Sequence, residues 1–173
     1  MMELTVKRSD YNFEEVRARV ESAIHKLWQD DLDLIDRNVN ERSITHRLAI
    51  YVEEAFSEWE YHCDCEYNRN YSGPKRLKDL KPDDTDPTST YPDIVLHKRR
   101  SNEENLLVIE VKKTDSPKGT SFDKEKLQAF TSDEQQYKYR WGLFLRINRD
   151  EAQLVWYQSG SEMEMETVFR RTG

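Results

Sequence analysis

Two cysteines, Cys63 and Cys65, are all the chain contains. That number excludes a disulfide framework of the kind that holds small secreted domains together. Two residues apart on a strand, they face the same way but make a poor disulfide. With His62 beside them they still fall short of a structural zinc set, which takes four ligands. No apolar run reaches the roughly 18 residues of a membrane-spanning helix. The first residues hold no apolar segment of the sort a secretory leader uses. The expectation is a reduced, cytoplasmic protein with no membrane partner. Internal repeats and low-complexity tracts are absent, and no helix-turn-helix or zinc-finger pattern is visible, so sequence-specific reading of DNA has no support. Acidic side chains also outnumber basic ones, 34 to 27. The net charge is -7, which excludes a histone-like or general polyanion binder. Residues 1–66 hold 8 basic and 16 acidic side chains, and residues 67–173 hold 19 and 18. The second part of the chain is therefore where local contact with nucleic acid is to be sought.

What the chain does have is clean blocks of apolar residues within a 173-residue length that suits one domain. Val16, Val20, Ile24 and Leu27 recur at helical spacing over residues 13–28, and a linker rich in Asp and Asn follows. Residues 41–60 predict a stronger helix, capped by Asn40, with Ile44, Leu48, Val52, Ala55 and Trp59 on its buried stripe. Residues 61–68 read as a strand. The stretch YSGPKRLKDLKPDDTDPTST reads as a long loop. Strands are expected at 92–98 and 105–112, a helix at 122–138, and two closing strands at WGLFLRI and AQLVWYQ with a turn at NRDE between them. The final residues read as a fraying tail. This order of elements predicts an α/β domain with a mixed sheet.

Charge is set into two of these apolar blocks, YPDIVLHKR and NLLVIEVKK. If the two strands pair as an antiparallel hairpin with Arg99 opposite Glu104, then Val95 faces Val108 and Asp93 faces Glu110. Directly opposite residues share a face, and Lys112, two residues beyond Glu110, shares it too. Two facing carboxylates repel each other, and one pKa must rise unless a cation intervenes. A structural account uses Lys112 or an arginine as that cation. A functional account uses Mg²⁺ or Mn²⁺, hard ions that take oxygen ligands, with the backbone carbonyl of Val111 as a further donor. Lys112 then stands beside a metal-bound water, an arrangement suited to phosphodiester hydrolysis.

With Pro92 and Asp93 followed by Glu110, Val111 and Lys112, the chain resembles the PD-(D/E)xK nuclease superfamily. More narrowly, NERSITHRLAIYVEEAF, CEYNR, YPDIVLHKR and NLLVIEVKK are similar to a small bacterial group of nucleases of unassigned role. The resemblance covers residues 35–148. It implies a restriction-endonuclease-like αβββαβ core with a mixed central sheet. Residues 1–34 then form an added N-terminal helical extension and 149–173 a C-terminal strand and tail, all within one domain. It also implies metal-dependent hydrolysis of phosphodiesters, DNA before RNA, by an endonuclease whose metal is held by Asp93, Glu110 and Val111. An acidic residue on the first core helix often joins such a site, and Glu41 matches it; the plain alternative for Glu41 is a carboxylate favouring the helix dipole.

The substrate contacts are less sharply drawn. Arg42 and His46, four apart on one helix face, suit a phosphate or a hold on Glu41. Lys75 and Arg76 in the long loop suit backbone phosphates. In this fold the helix after Lys112 carries a further phosphate contact, for which Lys126 and Gln128 are the candidates, although a lysine there is ordinarily a surface residue. QAFTSDEQQYKY lacks the clean glutamine-to-tyrosine spacing of the exonuclease-like branch, which favours internal cutting. A homodimer or a guiding protein partner fits a nuclease without its own sequence reading. The competing reading is a non-catalytic nucleic-acid- or protein-binding module on the same scaffold.

Overall fold

The computed structural model describes residues 10–37, 39–67, 69–70, 73–74, 91–116 and 120–172. Helix α1 (Phe13–Asp36) begins at Asn12, whose side chain accepts the Glu15 amide while Glu15 returns a bond to the Asn12 amide. This reciprocal cap satisfies amides that a helix start leaves open. The expected linker after residue 28 is helical instead, to Asp36, with a kink at Asp31. Leu32, Leu34 and Ile35 extend the core contact there and keep the chain wound. Helix α2 (Glu41–Ala55) is capped by Asn40, as its sequence predicts. It ends before the expected residue 60, in a 3-10 turn at Ser57–Trp59 whose last residue is followed by Glu60 at φ 56°.

Strand β1 (His62–Cys65) follows, then the short pair β2 (Arg69–Asn70) and β3 (Gly73–Pro74), then β4 (Ile94–His97) and β5 (Leu107–Lys113). Helix α3 (Ser121–Thr131) crosses to β6 (Trp141–Ile147), which turns into β7 (Glu151–Gln158) and β8 (Ser161–Arg170). Six strands form one mixed sheet in the order β1-β4-β5-β6-β7-β8, with only β5 and β6 parallel. The α/β class and mixed sheet expected from the sequence are present. Two further expectations are corrected. The helix predicted to run to residue 138 stops at Thr131, because Ser132 turns extended and the chain folds back to bury Tyr137 and Tyr139. The predicted tail is mostly strand β8, paired along β7 and packing Met163 and Phe169 against the core.

The sheet separates two cores. On one face α1 and α2 cover Ile94, Leu96, Leu107, Ile109, Val111 and the matching residues of β6 and β7. On the other, α3 and the Tyr137–Tyr139 segment cover Val95, Val108, Phe144 and Val155. Central strands buried on both faces must be apolar almost throughout, which is why β4, β5 and β6 read as continuous blocks. Gly142 on β6 lets α3 approach closely. A Cβ there would stand 3.1 Å from Thr131 Cγ2 and 3.3 Å from Leu127 Cδ2. A charged residue that points from β5 to the second face is therefore held under a closely seated helix.

Candidate active site

The register of β4 on β5 pairs Ile94 with Ile109, Val95 with Val108 and Leu96 with Leu107. Continued by one residue, it sets Asp93 across from Glu110, the hairpin drawn from the sequence. Asp93 precedes β4 and is anchored twice: its carbonyl accepts the Glu66 amide at 3.1 Å, and its Oδ2 accepts the Val111 amide at 2.8 Å. Glu110 and Lys112 alternate to the face of Val108, beneath α3. Glu110 is 1% exposed. Its Oε2 receives Lys126 Nζ at 2.8 Å, and its Oε1 is buried with no hydrogen-bond partner among the described residues.

From Glu110 the charges alternate. Lys126 Nζ also lies 3.4 Å from Asp123 Oδ1 and donates to the Tyr91 carbonyl at 3.3 Å. Asp123 Oδ2 lies 3.1 Å from Lys112 Nζ, and Lys112 Nζ lies 3.9 Å from Glu41 Oε1. Glu41 Oε2 accepts the Lys113 amide at 2.9 Å, which ties the start of α2 to the end of β5. Burial pushes Glu110 well above the ordinary carboxyl range, and the charges of Asp93 and Asp123 add to this against the opposing Lys126. Burial also raises Asp93, against Lys126 and the Val111 amide. For Lys126 and Lys112, burial favours the neutral amine, but the surrounding carboxylates outweigh it and raise both, so both remain ammonium.

Asp93, Glu110, Lys112 and Glu41 thus share one cluster. Val111 enters it through its amide, donated to Asp93. Glu41 approaches from the Lys112 side. Lys126 is not the surface residue that a lysine on this helix ordinarily is: it is 4% exposed and paired to Glu110. Asp123 was missed by the sequence reading, yet a signal exists. Asp123, Lys126, Leu127 and Phe130 fall on the buried stripe of α3, so two charged residues hold positions that helical spacing reserves for the core.

The remaining candidates lie elsewhere. Arg42 is exposed and pairs with Glu66 at 3.3 Å. With His46 it lines an open groove of about 430 Å³ between α1 and α2, beside Asp31, Leu34, Ser43 and Arg47. Gln128 is exposed on α3. Lys75 and Arg76 lie outside the described residues. The cysteines do not form a metal set with His62. Cys63 pairs with Leu96 and faces α2, where its thiol donates to the Ala49 carbonyl, while His62 pairs with His97 on the other face. Burial raises both thiols, Cys65 to about 11.

Among the described residues, no three His, Cys, Asp or Glu side chains converge as a metal site. The set expected here is Asp93, Glu110 and the Val111 carbonyl joined by Glu41, but Glu41 is engaged by Lys112 and the Lys113 amide instead; the chemistry of the remaining two carboxylates and carbonyl fits a divalent ion in two respects. Four carboxyl groups stand with two ammonium groups, so acidic groups are in excess where a divalent ion would be held. Among the described residues Glu110 Oε1 is an acceptor buried without a donor, a state that is costly unless a cation or water meets it.

Comparison with family models, with curated proteins and with solved structures gives no match to this chain.

Proposed function

We propose that this protein is a divalent-metal-dependent nuclease built on a restriction-endonuclease-like αβββαβ core, formed by α2, β1, β4, β5, α3 and β6. The observation that carries the reading is the hairpin register, with Asp93 set across from Glu110 and Lys112 on the Glu110 face. Asp93, Glu110 and the Val111 carbonyl would hold Mg²⁺ or Mn²⁺. Such an ion, when bound, supplies a water acidic enough to attack phosphorus and offsets charge on the phosphoryl oxygens.

The chain's own groups do the rest. Lys112, kept as ammonium by Asp123 and Glu41, positions the attacking water and faces the charge that develops on the phosphate. Glu41 holds Lys112 and fixes the end of β5. The enclosure of Glu110 under α3 keeps bulk water from this side of the site. DNA is the favoured substrate, with RNA second, and cleavage is internal. With no motif for base reading, the target is set by nucleic-acid structure, by a second copy or by a guiding protein.

The test is cleavage by the purified protein in Mg²⁺ or Mn²⁺ on duplex, single-stranded and branched DNA and on RNA. Metal-dependent cutting that disappears in D93A and K112A is the expected result. No cutting on any of these substrates overturns the proposal. One observation favours the competing binding-module reading: Lys126 already neutralises Glu110. On that reading D93A binds nucleic acid or protein as well as wild type, with no effect of metal.

A further inference from the structure

The ammonium of Lys126 meets three oxygens, with the Phe122 ring 5.9 Å away on its other side. Glu110 Oε2 is 2.8 Å away, the Tyr91 carbonyl 3.3 Å and Asp123 Oδ1 3.4 Å, and Asp93 acts on it by its charge. Two carboxylates and a backbone carbonyl are also the donor set a hard divalent cation selects. Lys126 comes from α3 and Glu110 from β5, so this ammonium reaches across the layer interface into the carboxylates that the hairpin assembles. Its four-carbon stem can rotate without moving the helix. A second seat is already in contact, since Asp123 lies one turn earlier on α3 and shares the ammonium with Glu110.

We propose that Lys126 is a built-in counter-ion that occupies the metal's place on Glu110 and moves wholly onto Asp123 when a divalent ion binds. The inference rests on the metal reading above and adds to it a displaceable occupant. In the metal-free protein Lys126 keeps Glu110 from standing as a buried uncompensated carboxylate, which would be strongly destabilising. Metal binding is then an exchange of one cation for another. Asp123, bridging Lys112 and Lys126, receives the displaced charge and keeps it beside the site, where both lysines face the substrate phosphate.

Calorimetric titration with Mn²⁺ of wild type, K126M, D123N and the double variant tests this. Losing the internal competitor is expected to tighten Mn²⁺ binding in K126M by at least about tenfold, since one like charge a few ångströms from a divalent ion is worth that much even with the screening of bulk water. D123N, lacking the second seat as well as a nearby negative charge, is expected to lose more Mn²⁺ affinity in the wild-type background than in K126M, where only the charge is lost. An equal loss from D123N with and without Lys126 would mean that Asp123 acts only through its field, and overturns the exchange. Unchanged Mn²⁺ affinity in K126M overturns it too, while leaving the metal site standing. No Mn²⁺ binding in wild type or K126M overturns the metal reading and this inference together. Should K126M fail to fold, the wild-type protein answers by lysine-ammonium NMR with Mg²⁺, the Lys126 signal being assigned with K126R. The exchange requires that signal to shift in step with Mg²⁺ binding; a fixed Lys126 signal in the metal-bound protein sinks the proposal.

Discussion

Asp93 Oδ2 accepts the backbone amide of Val111 at 2.8 Å. One carboxylate thus pins the residue that leads into β4 to the stretch of β5 between Glu110 and Lys112. The hydrogen bond fixes both arms of the site relative to each other, and it separates two roles that one substitution would otherwise confuse. In D93N the amide oxygen can still accept from Val111, but the charge is gone. D93N is therefore expected to melt near wild type while losing Mn²⁺ binding and cleavage. D93A leaves the Val111 amide unpaired and is expected to cost about 1–3 kcal/mol more. Paired melting curves and Mn²⁺ titrations check this.

Lys112 sits between Asp123 and Glu41 and is mostly buried. Because it is assigned to the reacting water and phosphate, K112M is expected to lower cleavage by about 100- to 1,000-fold, the scale for removing one preorganised electrostatic partner. Its Mn²⁺ affinity should hold or rise. Loss of metal binding in K112M would instead place Lys112 among the groups that shape the site.

Asp64 on β1 binds both the Arg99 guanidinium and His97 Nε2. Burial pushes its pKa up, but the hydrogen bonds from Arg99 and His97 outweigh this and hold it below the ordinary value. The stability it contributes is present above the unfolded pKa and disappears as pH falls through the lower folded value. D64N is expected to destabilise by about 1–3 kcal/mol at neutral pH. The gap should narrow once the pH drops below the reference value of 3.8. Urea unfolding of both proteins across that range gives the answer.

Gly142 is a point of close approach between α3 and the sheet, where an added Cβ would lie within 3.3 Å of Thr131, Tyr157 and Leu127. G142A is expected to lower stability by about 1–3 kcal/mol through overpacking. Because α3 carries Asp123 and Lys126, it should also weaken cleavage more than an equally destabilising change on the α1 face, such as I24V. Denaturation midpoints beside cleavage rates distinguish the two effects.

The hairpin was legible because two apolar blocks with a short gap leave few registers, and burial on one face forbids a one-residue slip. Asn40 was legible as a cap in the same way. Strand β8 was not legible: SEMEMETVFR reads as polar, and its alternation carries little apolar weight until Met163 and Phe169 are seen against the core. The early end of α3 was hidden because QQYKY has helix-compatible residues, while the burial of Tyr137 and Tyr139 is a tertiary effect. The burial of Lys126 and the part played by Asp123 were hidden for a related reason. A buried ammonium is acceptable only beside its carboxylates, and Glu110 reaches it from β5, a separate element.

Strand β8 closes one side of the sheet with Glu162 and Glu164 turned toward solvent. Beneath it β7 reads EAQLVWYQ, with Leu154, Val155, Trp156 and Tyr157 all buried. A chain cut before Ser161 would lay bare the backbone edge of that strand, a template for stacking one molecule onto the next. The acidic ribbon is thus expected to guard that edge against aggregation, and versions cut before Ser161 should precipitate before they unfold.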